Sequence, residues 1–503
     1  MLRGFNYFTG DFMLQMKKIV FCCCMFFFSQ FTIAQDLGSF DPFGDSSSDM
    51  AETSGFGIDF GGSVKLGTPI FFTDFKDFSN IRGSSLISAN FHLNAYSPVC
   101  EVYASVHLDD TTLPFNFTSI PKLTPTKLQV PRFIDEIYLQ GSFGPVIVGG
   151  GIKKMTWGRA DSFSILDIIN PKDFSDITIT DNQKLKKARP LLFLSAYLPM
   201  DMKLEFVFLP IFEGNTYAIT SRSATDLVDN MVQGLFSAAE SDTSITSAGV
   251  KKFIDDFKDG LFSLSPNIDI DSGRLRYAQA GMRYTAIFDG YHDVGLQYYY
   301  GFLPTPGVRY NKNQFVNEMD AYSMPDSITD GQIQKFFTFD YTPVHQIGFD
   351  YGLALGPVSI RTELAALITH DIKGTDPSMY NPSIAWNFGI DYTTPIGLMI
   401  NVCVAEDIML LWKNAQKDPY DMQYGKKMTD THIMLLLTQT LLRGAVTLNM
   451  RSTMHVERLD FTLAPSFEFM YGSLIIGVET GFFFGKNGGA NKNYITASFS
   501  YNF

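Results

Sequence analysis

From residue 56 to the last residue, apolar and polar side chains alternate with a period of two in stretches of about ten residues. The final stretch, "YITASFSYNF", sets Ile495, Ala497, Phe499, Tyr501 and Phe503 against Thr496, Ser498, Ser500 and Asn502. A strand at a chain end exposes a row of unpaired N–H and C=O groups unless something closes its edge. Phe56, Ile58, Phe60, Val64 and Leu66 form a first apolar face. Ile87, Ala89, Phe91, Leu93 and Ala95 form a second, and Val102, Ala104, Val106 and Leu108 a third. Further stretches follow near 134–143, 146–153, 190–198, 202–209, 275–288, 293–302, 345–355, 358–368, 383–392, 397–406, 430–439, 444–452, 459–470, 473–484 and 494–503. The count is about eighteen strands, within a range of sixteen to eighteen.

The connections alternate as well. Ser97-Pro98, Gly144-Pro145, Pro199-Met200-Asp201, Asp289-Gly290, Gly356-Pro357, Thr394-Pro395 and Tyr471-Gly472 are short turns built from residues suited to tight dihedrals. The intervening connections, at 67–84, 109–133, 154–189, 210–273, 303–344, 369–382 and 407–429, are mostly long. Short periplasmic turns and long extracellular loops are the asymmetry of a bacterial outer-membrane barrel. Between residue 35 and the end there is no apolar run long enough for a helical span. Charged residues make up only 18% of the chain and aromatics 15%, too few charges for an ordinary soluble protein. The expected fold is therefore all-β: a transmembrane antiparallel up-and-down β-barrel over residues 55–503, integral to the bacterial outer membrane. Outer-membrane lipid is one expected partner. A large secreted sandwich would not alternate its connections so regularly.

The N-terminus reads as an export signal. Lys17-Lys18 precede "IVFCCCMFFF" and then "SQFTIAQ", a charged region, an apolar region and a small residue for cleavage after Ala34. Met16 is a candidate true start. Cys22, Cys23 and Cys24 lie within the apolar run, and Val20-Phe21 before them do not fit a lipoprotein signal. Removing residues 1–34 takes away Arg3, Lys17, Lys18 and Asp11, which moves the net charge from −13 to −15 and argues against a nucleic-acid partner. Residues 35–54, acidic and Ser-rich, read as a flexible segment.

Residues of opposite parity should face the barrel interior. Those expected there include Glu136, Lys203, Glu205, Arg283, Asp350, Arg361 and Glu363, with Asp59, Asn90, Glu101, Gln140, Gln297, Asn387, Asp391, Arg451, Glu468 and Glu479. An Arg or Lys on the lipid side at mid-depth would cost about 2–4 kcal/mol, so charges belong inside. Arg361 and Glu363, two apart on one face, are a candidate ion pair. Tyr298, Tyr300 and Phe302 are expected to face lipid.

Two loops stand out. Residues 154–189 combine Trp157-Gly158, Ile165-Leu166, Ile168-Ile169 and the Asn170-Pro171 turn. Such apolar content suits a loop folded inward to narrow a pore, or a cap on the outer surface. Residues 210–273 carry ten acidic and four basic residues, with Val250, Phe253, Ile254, Phe257 and Leu261 at helical spacing. That helix should pack on the barrel rim or on another loop.

The segment "EIYLQGSFGPVIVGGGIKKMTWGRADSFSILDIINPKD" is similar to one in porin-like bacterial outer-membrane β-barrels. There a Glu-x-Tyr-Leu strand, a Gly-Pro turn and a second strand lead to Trp-Gly, Asp and Asn-Pro-x-Asp. "LEFVFLPIF", "GMRYTAIFDGYHDVGLQYYYGF" and "QIGFDYGLALGPVSIRTELA" resemble the same group. The resemblance marks Trp157, Gly158, Asp161, Asn170, Pro171 and Asp173 as the set of a pore-constriction loop. At 151–154, Gly-Ile-Lys-Lys departs from the Gln that the group tends to carry there. The resemblance implies a class rather than a cargo.

Chemical motifs are absent or weak. There is no phosphate-binding loop, dinucleotide fingerprint, His-Glu-x-x-His or cysteine pair for zinc, and the seven histidines are scattered. No enzyme activity, cofactor or metal is expected. The expected function is a porin-like channel for passive diffusion of small solutes, narrowed by the 154–189 loop. A transporter for hydrophobic compounds and a surface adhesin or antigen remain as alternatives. The closing strand, carrying Ile495, Phe499, Tyr501 and Phe503, resembles the signal read by the outer-membrane barrel-assembly machinery. That machinery and periplasmic chaperones are expected partners.

Overall fold

The computed structural model describes residues 56–72, 86–109, 122–123, 129–131, 133–160, 163–174, 179, 183–218, 224–259, 261, 270, 273–324, 332, 335–485 and 493–503. The expected signal (1–34), the 35–54 segment and Asp161 lie outside them. Among the described residues, eighteen strands form one closed antiparallel sheet. They are β1 (Gly57–Phe72), β2 (Leu86–Tyr96), β3 (Cys100–Asp109), β4 (Ile134–Phe143), β5 (Val146–Lys153) and β6 (Arg189–Leu198). Next come β7 (Met202–Leu209), β8 (Gln279–Phe288), β9 (His292–Tyr310), β10 (Phe337–Leu355), β11 (Val358–Thr369) and β12 (Ser383–Thr393). The last six are β13 (Leu398–Met409), β14 (Thr429–Leu441), β15 (Val446–His455), β16 (Asp460–Tyr471), β17 (Leu474–Phe484) and β18 (Asn493–Asn502). Each pairs with its neighbours in sequence, and β18 returns to β1. No described helix is long and apolar enough to cross a membrane.

The terminal strand closes the barrel at a different register from the one its sequence neighbours suggest. Asn502 lies opposite Ser63 and Asn493 opposite Phe72, so the partner is the second half of β1, not the "GFGIDFGG" segment at its start. Gly57–Gly61 instead pair only with β2. The cause is the stagger that strand tilt imposes when a sheet closes on itself. Phe503 lies just beyond the ladder. It exchanges backbone hydrogen bonds with Gly62 at 2.9 and 3.0 Å, and its ring packs near Phe60 and Phe91, at 6.1 and 6.0 Å between centroids.

The two faces separate as the alternation requires. Ile495, Phe499 and Tyr501 are 40, 48 and 51% exposed, whereas Thr496 between them is 7% exposed. Exposed apolar residues of this kind recur on most strands, for instance Leu139, Leu192, Met282, Leu364, Val402 and Ile476. A band of such residues around a closed barrel is the surface that lipid covers. The connections 97–99, 144–145, 199–201, 289–291, 356–357, 394–397 and 472–473 are short and all lie at one end.

β9 and β10 run well past the expected 293–302 and 345–355. Their ladder continues across an irregularity between Phe302 and Pro306, pairing Val308 with Phe339 and Tyr310 with Phe337. Pro304 and Pro306 hid this extension, since proline donates nothing to a ladder, and the irregularity accommodates them. Three helices pack on it: α1 (Ala224–Ser241), α2 (Ala248–Lys258) and α3 (Lys312–Met319). Ser247 Oγ accepts from Val250 N–H to start α2. Val250, Phe253, Ile254 and Phe257 turn inward as their spacing demands, and Leu261 stays exposed. Phe236 of α1 sits within 5.6 Å, centroid to centroid, of Phe253, Phe257, Phe315 and Phe337. Phe302 belongs to this aromatic core and is buried, not lipid-facing as its parity implied. Phe212 and Tyr277 cover it, with ring centroids 5.5 and 5.0 Å away.

Two outcomes are expected. Phe503→Lys should lower the amount of heat-modifiable, folded barrel in outer-membrane fractions far more than Phe43→Lys; equal losses would contradict a sealing role for the terminus. Phe236→Ala should cost the helical layer about 3–5 kcal/mol, seen as faster protease cleavage within 224–258 while the barrel still resists heat on gels.

Candidate functional site

The loop between β5 and β6 enters the barrel. Asn170, 4% exposed, ties its two ends together: Met155 N–H donates to Asn170 Oδ1 at 2.9 Å, and Asn170 Nδ2 donates to the Lys187 carbonyl at 2.7 Å. Pro171 is buried, and its carbonyl accepts from Lys187 N–H at 2.9 Å. Arg189, fully buried, donates to the carbonyls of Ile169 (2.9 Å) and Ile211 (2.7 Å). Asp167 and Lys186 form a buried ion pair. Burial raises the Asp167 carboxyl above its ordinary range, and the Lys186 ammonium opposes that shift.

Trp157 then anchors the descent. Its ring lies over Gly281, where a Cβ would come within 2.8 Å of the indole. Met155, Ile169, Leu191, Phe193, Val207, Leu209 and Tyr299 surround it. Leu191, Phe193, Val207, Leu209 and Tyr299 come from the inward parity of β6, β7 and β9, so a glycine is needed at 281 on β8 for the loop to approach the sheet. Gly158 follows with φ +95°, a left-handed conformation that a side chain would strain. It brings the backbone against the Glu363 carboxylate.

Glu363, 0% exposed, organises the turn. Its Oε1 accepts from the N–H groups of Arg159 (2.6 Å) and Ala160 (2.8 Å), and its Oε2 from those of Ile165 (2.9 Å) and Leu166 (3.3 Å). Ser164 Oγ and Asn387 Nδ2 complete the set at 3.1 and 3.2 Å. Hydrogen bonds to a charged group are worth about 1.5–3 kcal/mol each, so one carboxylate fixes a loop that has no regular secondary structure there. Three inward amides hold the neighbouring carbonyls. Gln297 donates to Leu166 O (2.9 Å), Gln346 to Ile165 O (2.8 Å) and Asn387 to Phe163 O (2.7 Å).

Arg159 reaches furthest. Its Nε donates to Asp350 at 2.7 Å and its guanidinium also pairs with Asp293. Arg283 shares Asp350 at 2.8 Å. Asp293 is the second residue of β9, so the loop descends toward the end of the barrel that carries the short turns. These contacts set residues 157–166 against the inner face of β8–β12.

The expected interior residues divide into two groups. Arg283, Asp350 and Glu363 lie together under the loop. Arg361 does not pair with Glu363: its Nη2 bonds Asp391 at 2.5 Å and its Nη1 the Arg159 carbonyl at 3.3 Å. Glu363 is drawn to the loop's N–H groups instead, and Arg361 turns to Asp391, on β12. Lys203 pairs with Glu205 at 3.0 Å, and Glu136 accepts from Lys154 N–H at 2.7 Å at the loop entrance. Of the motif set, Trp157, Gly158, Asn170 and Pro171 shape the descending part. Asp173 sits apart, in a small three-stranded sheet beside Thr216. Its N–H is held by the Leu185 carbonyl at 2.8 Å, which draws it back toward the loop's exit.

Arg159 and Gln346 were not singled out from the sequence. The signal was present for Arg159, a lone cation amid an apolar stretch of a chain whose inward positions are rich in carboxylates. For Gln346 nothing in the sequence marks it beyond its parity.

The barrel wall is covered unevenly. Inward residues of β8–β12 are buried by the loop, among them Gln297, Gln346, Asp350, Glu363 and Asn387. Inward residues on the opposite wall stay partly or fully accessible, among them Asn90, His92, Glu101, Gln140, Arg451, Glu468 and Ser500.

No protein-family description matches the chain, and no curated protein matches it. Solved structures do resemble it. A Salmonella typhi OmpF complexed with daunomycin aligns over 89% of this chain and 97% of its own, with 8% identity and a TM-score of 0.36. Pseudomonas aeruginosa OccK11 aligns over 88% and 96%, with 7% identity and a TM-score of 0.41. The Escherichia coli outer-membrane protein Wzi, described as a carbohydrate-binding β-barrel involved in capsule assembly, aligns over 88% and 84%, with 9% identity and a TM-score of 0.43.

Glu363→Ala should release the loop tip. In a background where Trp386 and Trp412 are replaced by Phe, Trp157 is the only tryptophan left. Its emission should shift to the red and its acrylamide quenching rise severalfold. Unchanged emission would mean that the apolar packing holds the loop without the carboxylate.

Proposed function

We propose that the protein is a porin-like channel of the bacterial outer membrane, through which small solutes diffuse passively along the wall that the loop leaves uncovered. The observation that carries this reading is the asymmetry of the interior. One wall is sealed by Trp157, Arg159 and Glu363, while the facing wall keeps polar side chains accessible from water. A filled interior would bury both sides, and a greasy one would not place Asn90, Glu101, Gln140 and Glu468 there. The loop narrows the passage, and its hydrogen bonds on Glu363, Gln297, Gln346 and Asn387 keep that narrowing fixed rather than mobile. Lipid around the apolar band and the assembly machinery at the terminal strand are its proposed partners.

The charge of the uncovered wall sets the selectivity. Asp59, Glu101, Glu136, Glu468 and Glu479 face inward there, against Lys65, Lys153 and Arg451. A ring richer in carboxylates favours cations.

Purified protein in planar bilayers should give discrete conductance steps, and reversal potentials in a salt gradient should report a mild cation preference. Absence of steps at any voltage, or clear anion selectivity, would overturn the reading. Arg159→Ala should raise single-channel conductance, because it removes the group that holds the loop deepest in the barrel.

A further inference from the structure

We infer that the outer mouth of the barrel carries a binding site for a divalent transition-metal ion of the zinc class, formed by Asp430, His432 and His455. His432 on β14 and His455 on β15 are register partners. Asp430 precedes His432 by two residues and shares its inward face. The pairing register thus sets two imidazoles side by side and a carboxylate over both. The rings lie 4.7 Å apart, edge to face. Asp430 Oδ1 is 3.2 Å from His432 Nε2 and also pairs with His455 Nε2. One ligand atom from each of the three residues lies within 4.8 Å of the others.

The donor set indicates the ion. Two imidazole nitrogens and one carboxylate oxygen suit zinc and its borderline neighbours rather than calcium or magnesium, which take oxygen ligands. Three protein ligands leave a position open for water or an exchangeable solute. A second carboxylate lies close by. Glu457 accepts from Thr429 Oγ1 (2.9 Å), Thr431 N–H (2.7 Å) and Thr431 Oγ1 (2.7 Å), which holds it 3.8 Å from His455 Nδ1. It adds negative potential without entering the ligand set.

One group competes with the ion. Arg458 Nε lies 3.1 Å from His455 Nε2, and Arg458 N–H donates to His455 Nδ1 at 3.2 Å. The guanidinium occupies the space beside the very nitrogen that the ion would use. The site is therefore guarded by its own cation, and a metal has to displace Arg458 before it binds. Phe163, from the loop inside the barrel, packs 5.4 Å from His432. A bound ion would thus put positive charge on the lumen wall within reach of the constriction.

This site does not depend on the channel reading and is tested by binding. Zn²⁺ is titrated by calorimetry into tag-free, chelator-stripped full-length barrel in detergent, with folding checked by mobility of unheated samples. The wild type should bind one ion per chain in the micromolar range or tighter. His432→Ala and His455→Gln should each weaken binding more than about tenfold. Arg458→Gln should tighten it severalfold, a gain that a merely structural cluster would not show. No binding by the wild type, or binding that both histidine variants leave unchanged, overturns the proposal. If the histidine variants fail to fold, Arg458→Gln decides, and unchanged or weaker binding refutes the site.

Discussion

Within a lipid core every backbone N–H and C=O has to find its partner inside the protein. The ladder between β18 and β1 meets that requirement for the whole sheet, since without it two edges would stand open in hydrocarbon. Much else follows from closure. The tilt that allows it shifts the register, sends β18 to the second half of β1, and leaves Phe503 to fasten the end through Gly62 and two neighbouring aromatic rings. Closure also gives the sheet an inside, and only an inside makes a buried carboxylate such as Glu363 tenable.

The loop within the barrel rests on a second principle. A backbone segment without regular structure carries donors and acceptors that burial would orphan. Here the wall supplies them. Glu363 takes four N–H groups, and Gln297, Gln346 and Asn387 take three carbonyls. Asp350, shared by Arg159 and Arg283, balances charge that would otherwise be stranded far from water. Breaking such a pair from one side typically costs about 3–5 kcal/mol, which is why the loop stays fixed against the wall. The glycines at 158 and 281 perform the steric part, letting backbone and indole come close to the wall.

Above the membrane the protein is built differently. β9 and β10 leave the barrel as a long hairpin, and three helices bury an aromatic core against it. Tyr420 from the β13–β14 connection joins this layer, stacking on Tyr310 at 5.4 Å and donating to Asp242 at 2.7 Å. Three separate connections are thereby locked into one rigid platform beside the mouth where Asp430, His432 and His455 converge.

Period-two alternation and the spacing of the turns determined the barrel, a strand number near eighteen and the inward and outward faces, and helical spacing determined the amphipathic helix α2. These are local properties: a side chain two residues on points the same way whatever surrounds it. The apolar residues and the Asn-Pro turn of 154–189 also announced an ordered loop. Tertiary structure alone decided whether that loop went in or stayed out, because the choice depends on acceptors some two hundred residues away, Glu363 above all. It likewise decided that Arg361 would bond Asp391 rather than Glu363, that prolines 304 and 306 would fit inside a strand, and that His432 would meet His455. No spacing motif joins those histidines. Only the register of β14 and β15 brings them together, and register is set by how the whole sheet closes.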